Sequence, residues 1–357
     1  MEPLAVTVPA AVGLIGAPAD QLGGRVLGLA LANYRAWAHL EPAEGITIRS
    51  DDDEPAWRSV QELSDEVDRY GHIGSQRLVT AAVRTVNRHA RRLGASVSRQ
   101  GFRLRYGSDI PRQVGLGGST ALIVAVQDVV CRHLGVEVDP LVRPTLALAA
   151  EADELGLVGA PRTSVIQVLG GVVAMDFEPD RTEAVDGLGH GRYDPVDPSG
   201  LPPLFVAHLA AAAAADDSAR RELRTRWERA DGSVAEIARR LSGLAAEARA
   251  AASWRDPGRL AALIDASADL AGTLTMPADL TLMMLEEARD LGIAATPVGS
   301  GAIVGAYEDD AAFDAVRSRL GELGAEVQRV EVAEPLHQLA VTGGPPVGDG
   351  PRPIHDR

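Results

Sequence analysis

Apolar residues recur along this chain in two rhythms, one of strands and one of helices. "LAVTVPAAVGLIGAP" near the start predicts a strand broken by proline and glycine, and "SVSRQGFRLRYGSDIP" alternates apolar and polar residues as hairpin strands do. "GSQRLVTAAVRTVNRHARRLG" instead places its apolar residues at helical spacing and stops on Gly94. The aliphatic run after "GLGGST" predicts a helix to about Leu134, and "PTLALAAEADELG" predicts another. "SVIQVLGGVVAMDFEP" predicts a turn and a buried strand, with "VIQV" itself read as extended. Further on, "LPPLFVAHLA" predicts a strand, and "DDSARRELRTRWERADGSVAEIARRLSGLAAEARAAA" a helical block broken at Gly232. More helix is expected through Ala288, then strands in "ATPVGSGAIVGAYEDD" and "AEVQRVEVA" around a helix near 310–323.

The stretch "EAVDGLGHGRYDPVDPSGLPP" is dense in glycine, proline and aspartate, which marks a boundary. It divides the chain into an α+β unit over 1–195, a second over 196–340, and a tail over 341–357 expected to be disordered. No internal repeat is visible.

Composition narrows the partners. The 357 residues are 46% hydrophobic and 24% charged, as in a soluble globular protein, but only 4% aromatic, so Leu, Val, Ile and Ala must fill the core. All 35 basic residues are arginine, so no step can use a lysine ammonium. A net charge of −15 argues against nucleic acid or an anionic membrane as the main partner. The single cysteine, Cys131, lies in an apolar run and reads as a buried structural thiol. With no disulfide within the chain, no signal-like N-terminus and no apolar run of bilayer length, the expected location is cytoplasmic. His39, His72, His89, His133, His190, His208, His337 and His355 show no metal-ligand spacing.

Three glycine-rich stretches carry the candidate chemistry. "GLGGST", Gly115 to Thr120, leads into a helix whose first amides have no internal partner. That arrangement favours an anion, and missing β-carbons let a phosphate approach the backbone. Ser119 and Thr120 add hydroxyls that can cap the helix or touch a metal. "VGLIGAPAD" is a strand and glycine turn bearing Asp20, and "TPVGSGAIVGA" a strand–turn–strand around Gly299, Ser300 and Gly301. Taken alone, the first reads equally as a serine-capped turn, Asp20 as an exposed turn residue, and the third as a plain hairpin.

In this order the three stretches resemble the signatures of the GHMP kinase superfamily, the central one being "PRQVGLGGSTA" against Pro-x-x-x-Gly-Leu-x-Ser-Ser-Ala. Within it the chain looks most like the plant-type glucuronokinases, through "GLIGAPAD", "AEADELGLVG", "VIQVLGGVVAMDF", "RTRW" and "TPVGSGAIVGAY", over roughly 5–335. The resemblance implies a two-domain α+β fold: a ribosomal-protein-S5-like N-terminal domain and a ferredoxin-like C-terminal domain. It implies a small-molecule kinase that moves the γ-phosphoryl of ATP to a sugar or cyclitol hydroxyl. The nucleotide loop would be Gly115, Leu116, Gly117, Gly118, Ser119 and Thr120. Mg2+ would meet Ser119 and Glu151, with Glu154 as the other choice, and the substrate would meet Asp20, Gly299, Ser300 and Gly301.

The chain also departs from the kinase pattern. Thr163 falls where glucuronokinase-like chains carry the catalytic aspartate, flanked by Arg162 and Ser164, and a threonine cannot accept a proton as a carboxylate does. Ala11 replaces a basic residue, and Ala271 and Gly272 stand where arginines suited to a sugar carboxylate are expected. Activity on glucuronate is therefore expected to be lost, with Arg162, Thr163 and Asp20 as the atypical catalytic set. Two alternatives stay open: an inactive nucleotide- or metabolite-binding homologue, and an enzyme of another class (decarboxylase, dehydratase or lyase) on the same fold. Arg224 and Arg226 of "RTRW" could face an anion, Trp227 reads as packing, and "HLAAAAAADDSARR" falls where the kinases place a substrate loop. Oligomeric state is left open.

Overall fold

The structure is a computed structural model that describes residues 2–49, 54–95, 100–210 and 217–336, without the side chains of 217 and 218. The tail 341–357, His337, His355 and most of the alanine run lie outside the described residues.

A long hairpin organises the first half. β1 (Leu4–Ile15) pairs antiparallel with the 19-residue β2 (Arg25–Ala43). The proline and glycine expected to break β1 instead bend it, because the register shifts between Pro9 and Ala10 and again between Gly13 and Ile15. At the first shift β2 jumps from Arg35 to Leu31, and the bulged residues turn to the other sheet. There the Asn33 amide donates to the Arg329 carbonyl (2.8 Å) and the Tyr34 hydroxyl meets His208 (2.9 Å).

The other edge of β2 takes β5 (Gly101–Ser108) over residues 36–43 and β6 (Val172–Asp176) over 25–29. β3 (Ile46–Arg49) and β4 (Ala56–Trp57) extend the sheet beyond β5, and β9 (Arg192–Val196) extends it beyond β6. Between β6 and β9 a small hairpin is formed by β7 (Glu183–Val185) and β8 (Leu188–His190). The expected hairpin around "FRLRY" is one strand, β5, which carries both partners itself; residues 96–99 lie outside the description.

Helices α1 (Val60–Tyr70), α2 (Arg77–Arg92), α3 (Gly118–Leu134), α4 (Arg143–Ala149) and α5 (Pro161–Leu169) complete this half. "VIQV" is therefore helical, not extended. Pro161 occupies the first turn, where its missing N–H costs nothing, and Val165 and Ile166 are fully buried. Tertiary burial overrides the β-preference of those side chains.

The second half holds an antiparallel sheet ordered β11 (Ala294–Val298), β12 (Ala302–Ala306), β10 (Leu204–His208), β13 (Glu326–Arg329). α9 (Asp279–Asp290) and α10 (Asp310–Glu322) bury Met284, Phe313 and Leu320 against it. α6 (Asp217–Glu228), α7 (Gly232–Trp254) and α8 (Pro257–Gly272) link the halves, α7 packing on β2. After β13 the chain returns to the first sheet, where Ala333 bonds Ala30 (2.9 Å) and Leu336 bonds Leu169 (2.7 Å). The largest buried cluster accordingly spans both sheets. Among the described residues, no helix is long and apolar enough to cross a membrane.

Candidate active site

The phosphate loop is shaped by backbone conformations that favour glycine. Gly115 (φ +97°) and Gly117 (φ +78°) adopt positive angles, and Gly117 caps α3 without any side-chain cap. Its carbonyls are tied down on the far side: Ala11 N–H donates to Leu116 O (3.1 Å) and Gln167 Nε2 to Gly117 O (2.8 Å). The first-turn amides of the 17-residue α3 are thus the donors left for an anion. Ser119 is exposed at that turn.

Thr120, buried, turns inward and donates to Glu151 Oε1 at 2.6 Å. Glu151 sits where α4 runs into a π-helical turn, Ala150–Glu154, and is itself 5% exposed. Its second oxygen, Oε2, has no hydrogen-bond partner and fills the space a β-carbon on Gly159 would take, so a side chain there would have to displace it. Burial pushes the Glu151 carboxyl above its ordinary range, against the Thr120 hydrogen bond and the charge of Arg220. Glu154 lies elsewhere, with His72 (3.1 Å), Arg84 (3.3 Å) and Arg88 (2.6 Å). Burial opposes its charge, but the His72 hydrogen bond and the two guanidinium groups hold it below the carboxylate range.

Asp20 and Arg162 meet across 142 residues of sequence. Arg162 Nη1 donates to Oδ1 (2.6 Å) and the Arg162 backbone N–H to Oδ2 (3.2 Å), and the Asp20 side chain is fully buried. The guanidinium stem lies across Gly13, where a β-carbon would stand 2.7 Å from Nε. The next residue, Thr163, places its methyl 2.7 Å from the position of a β-carbon on Gly117. The first turn of α5 therefore reaches the phosphate loop through Thr163, while Arg162 gives its Nη1 and its backbone N–H to Asp20.

The C-terminal glycine turn interlocks with the same loop. Gly299 (φ +59°) and Gly115 are so close that a β-carbon on either would come within 2.4 Å of the other's Cα. Ser300 Oγ donates to Gln113 O (2.9 Å), and Thr281 Oγ1 to Ser300 O (2.9 Å). "RTRW" stands apart from the loop: Arg224 pairs with Glu228, Arg226 with Asp231, and Trp227 is 37% exposed. Ala271 is partly buried against an apolar cluster that includes Leu22, Leu274 and Ala19, the neighbour of Asp20 in sequence.

Sequence reading missed Gln167, Gly159 and Arg220. Helical spacing from Thr163 would have put Gln167 on the loop-facing side, but "VIQV" read as a strand hid it.

Comparison with known proteins agrees with this geometry. The model for the GHMP kinases N terminal domain matches residues 77–171. Glucuronokinase 1 of Arabidopsis thaliana is 32% identical over 338 residues, covering 91% of each chain. Probable glucuronokinase 2 of the same plant is 33% identical over 305 residues, 83% of this chain and 81% of that one. In fold, the chain is similar to Lactococcus lactis galactokinase complexed with galactose (TM-score 0.75, 16% identity, 93% and 94% of the two chains). It is also similar to Streptococcus pneumoniae phosphomevalonate kinase in complex with phosphomevalonate and AMPPNP (TM-score 0.71, 15% identity, 92% and 100%). With its α+β fold, its glycine-bounded phosphate loop and relatives matched over nine-tenths of its length, the chain belongs to the GHMP kinase family.

Proposed function

We propose that this chain is an ATP-dependent sugar kinase whose acceptor is a hydroxyl of a neutral sugar or cyclitol. The observation that carries the reading is the pairing of an uncapped α3 N-terminus with a buried carboxylate, Glu151, that has one oxygen on Thr120 and the other without a partner. The names of the relatives support a sugar as acceptor. The apolar setting of Ala271, in place of the arginines of the kinase pattern, supports one without a carboxylate.

In the reaction, the acceptor oxygen bonds to the γ-phosphorus as the bond to the β,γ-bridging oxygen breaks. ADP leaves, and the hydroxyl proton passes to solvent. Such transfers rest mostly on positioning and charge stabilisation. The amides of 118–120 hold the phosphates, and the Gly299–Gly301 turn braces the loop through Gln113 and Gly115. Arg162 stabilises charge on the transferred group, and Asp20 fixes its direction. Thr163 occupies the aspartate's place without acting as a base, and such a base typically contributes about 10²–10⁴-fold, so turnover is slow rather than absent. Ser119, Thr120 and Glu151 would hold Mg2+ through hard oxygen donors of the kind it takes. When bound, the ion neutralises charge on those phosphates.

The test is γ-phosphoryl transfer from labelled ATP over a panel of neutral sugars, cyclitols and uronic acids, beside calorimetry with a non-hydrolysable ATP analogue. Transfer to a neutral acceptor in preference to glucuronate is expected. Saturable nucleotide binding with no transfer to any acceptor would replace the kinase by the second reading, a nucleotide-binding homologue. That reading draws on Thr163 and on the pairing of Arg162 with Asp20.

A further inference from the structure

Glu151 and Glu154 leave one turn of helix in different directions, and that turn is the irregular one. In an α-helix, residues three apart lie on one face. Here α4 runs into the π-helical turn Ala150–Glu154, whose wider i→i+5 spacing rotates the two carboxylates apart. Glu151 reaches Thr120 on α3, and Glu154 reaches α2. The backbone leaving the turn is wide as well, with Leu157 N–H returning to Glu151 O (2.9 Å). Such π turns are rare and frequently lie at functional sites.

Glu154 is gripped by three side chains. Its own side chain is 3% exposed, Arg88 Nη1 donates to Oε1 (2.6 Å), and Arg84 Nε (3.3 Å) and His72 Nε2 (3.1 Å) meet Oε2. The other ring nitrogen of His72 meets Thr80 Oγ1 (2.8 Å). Thr80, Arg84 and Arg88 recur every four residues and so share one face of α2. The two arginines are tied at their outer ends, Arg84 to Asp68 on α1 and Arg88 to Asp153 (3.4 Å). Exposed pairs contribute little, but breaking the partners of a buried charge is costly, so this end of the turn is fixed to α2. Glu151 has only the Thr120 hydroxyl on one oxygen, and its direction is set by the backbone that carries it.

Resting on the reading of Glu151 as a metal ligand, we propose that Glu154 is its positioning residue. The grip of His72, Arg84 and Arg88 on Glu154 holds the π turn and so aims Glu151 at the first turn of α3. Without that grip the turn is free to take the α-helical register, which carries Glu151 off Thr120.

The test is calorimetry of a non-hydrolysable ATP analogue with the full chain at a series of Mg2+ concentrations. In Glu154→Leu, which removes all three contacts and keeps the space filled, the Mg2+ needed for half-maximal analogue binding should rise about 10- to 100-fold. That is the usual cost of losing a partner that orients a metal ligand. Analogue affinity without Mg2+ should not change. Glu154→Gln, which keeps the shape and an oxygen for Arg88, should fall between wild type and Glu154→Leu, and it carries the test if Glu154→Leu does not fold. Asp153→Asn, on the same turn but in an exposed pair, should leave the Mg2+ requirement as it is. In a Glu151→Gln background Glu154→Leu should add nothing, because it acts only through Glu151. A lower melting temperature with an unchanged Mg2+ requirement overturns the proposal, and so does a fully additive loss in the double variant. If Glu151→Gln itself leaves the Mg2+ requirement untouched, the metal reading falls instead. The crystal structure of Glu154→Leu then still decides the grip: Glu151 released from Thr120 supports it, and Glu151 still on Thr120 overturns it.

Discussion

Asp20 and Glu151 are both carboxylates buried beside the phosphate loop, and their surroundings make them opposites. Asp20 has both oxygens occupied by one residue, with a guanidinium on Oδ1 and a backbone N–H on Oδ2. Glu151 has one oxygen on a hydroxyl and the other unpartnered, and burial pushes its carboxyl up. A buried charge with its partners in place is a strut. A buried carboxylate with an oxygen to spare is relieved of its desolvation cost either by a proton or by a cation, which is the setting the proposed metal site needs. On the proposed function, the difference separates a residue that holds the site together from one that would hold its metal ion.

The contrast breaks most visibly at Asp20. Asp20→Ala leaves a largely buried guanidinium without its partner, and urea unfolding should show a loss of about 3–5 kcal/mol. The double variant Asp20→Leu with Arg162→Met should recover most of that loss while phosphoryl transfer stays absent. A loss below about 1 kcal/mol in Asp20→Ala would put Asp20 with the surface pairs and dissolve the distinction. Next in size is Gly299→Ala. At φ +59°, with Gly115 Cα 2.3 Å from the new methyl carbon, the interlock must open. A stability cost of about 1–3 kcal/mol is expected, with weaker binding of an ATP analogue in the same preparation.

Glu151→Gln should behave in the reverse way. Removing a buried, half-partnered charge leaves the stability of the ligand-free chain unchanged or raises it by up to about 1 kcal/mol. The Mg2+ concentration needed for half-maximal transfer should rise by at least about tenfold, the lower end of what disturbing a metal site costs. Thermal unfolding and Mg2+ titration on one sample separate the two effects. A Glu151→Gln chain less stable than wild type would make Glu151 a strut like Asp20.

Much of this was legible where the signal is local. The glycine loop, the helix it opens from Gly118 to Leu134, and the strands around Gly299 follow from periodicity and turn residues within one short window. The site's key pairings are not local. Asp20 meets Arg162 across 142 positions and Gly299 meets Gly115 across the two sheets, and no window holds both partners. Glu151 and Glu154 are both plausible on one helix by spacing. Only the π-helical turn and the placement of Arg84, Arg88 and His72 send one to Thr120 and the other away. "VIQV" was misleading because β-branched residues signal strand in isolation, while burial between β1 and α3 accepts them in a helix.

The smallest effect tests a third buried polar group, one joining the two sheets. His208 on β10 is buried, and its ring meets the Tyr34 hydroxyl from the bulge of β2 at 2.9 Å, with Glu326 Oε2 3.6 Å away. Burial lowers its pKa below the ordinary 6.5, and the Glu326 charge only partly opposes this. Above pH 6.5 the ring is neutral in both folded and unfolded chains and adds no pH dependence. As pH falls below 6.5 the unfolded chain takes up the proton first, so stability declines until the folded ring protonates as well. The slope from one such group is at most about 1.4 kcal/mol per pH unit. His208→Phe removes the titration while keeping a ring beside Tyr34. Its melting temperature should therefore fall less than that of the wild type between pH 7.5 and pH 5.5, even if it starts lower. An equal fall in both chains would mean that His208 charges freely in the folded state. It would then be a cation answered by Glu326, closer to Arg162 on Asp20 than to a neutral bond between two sheets.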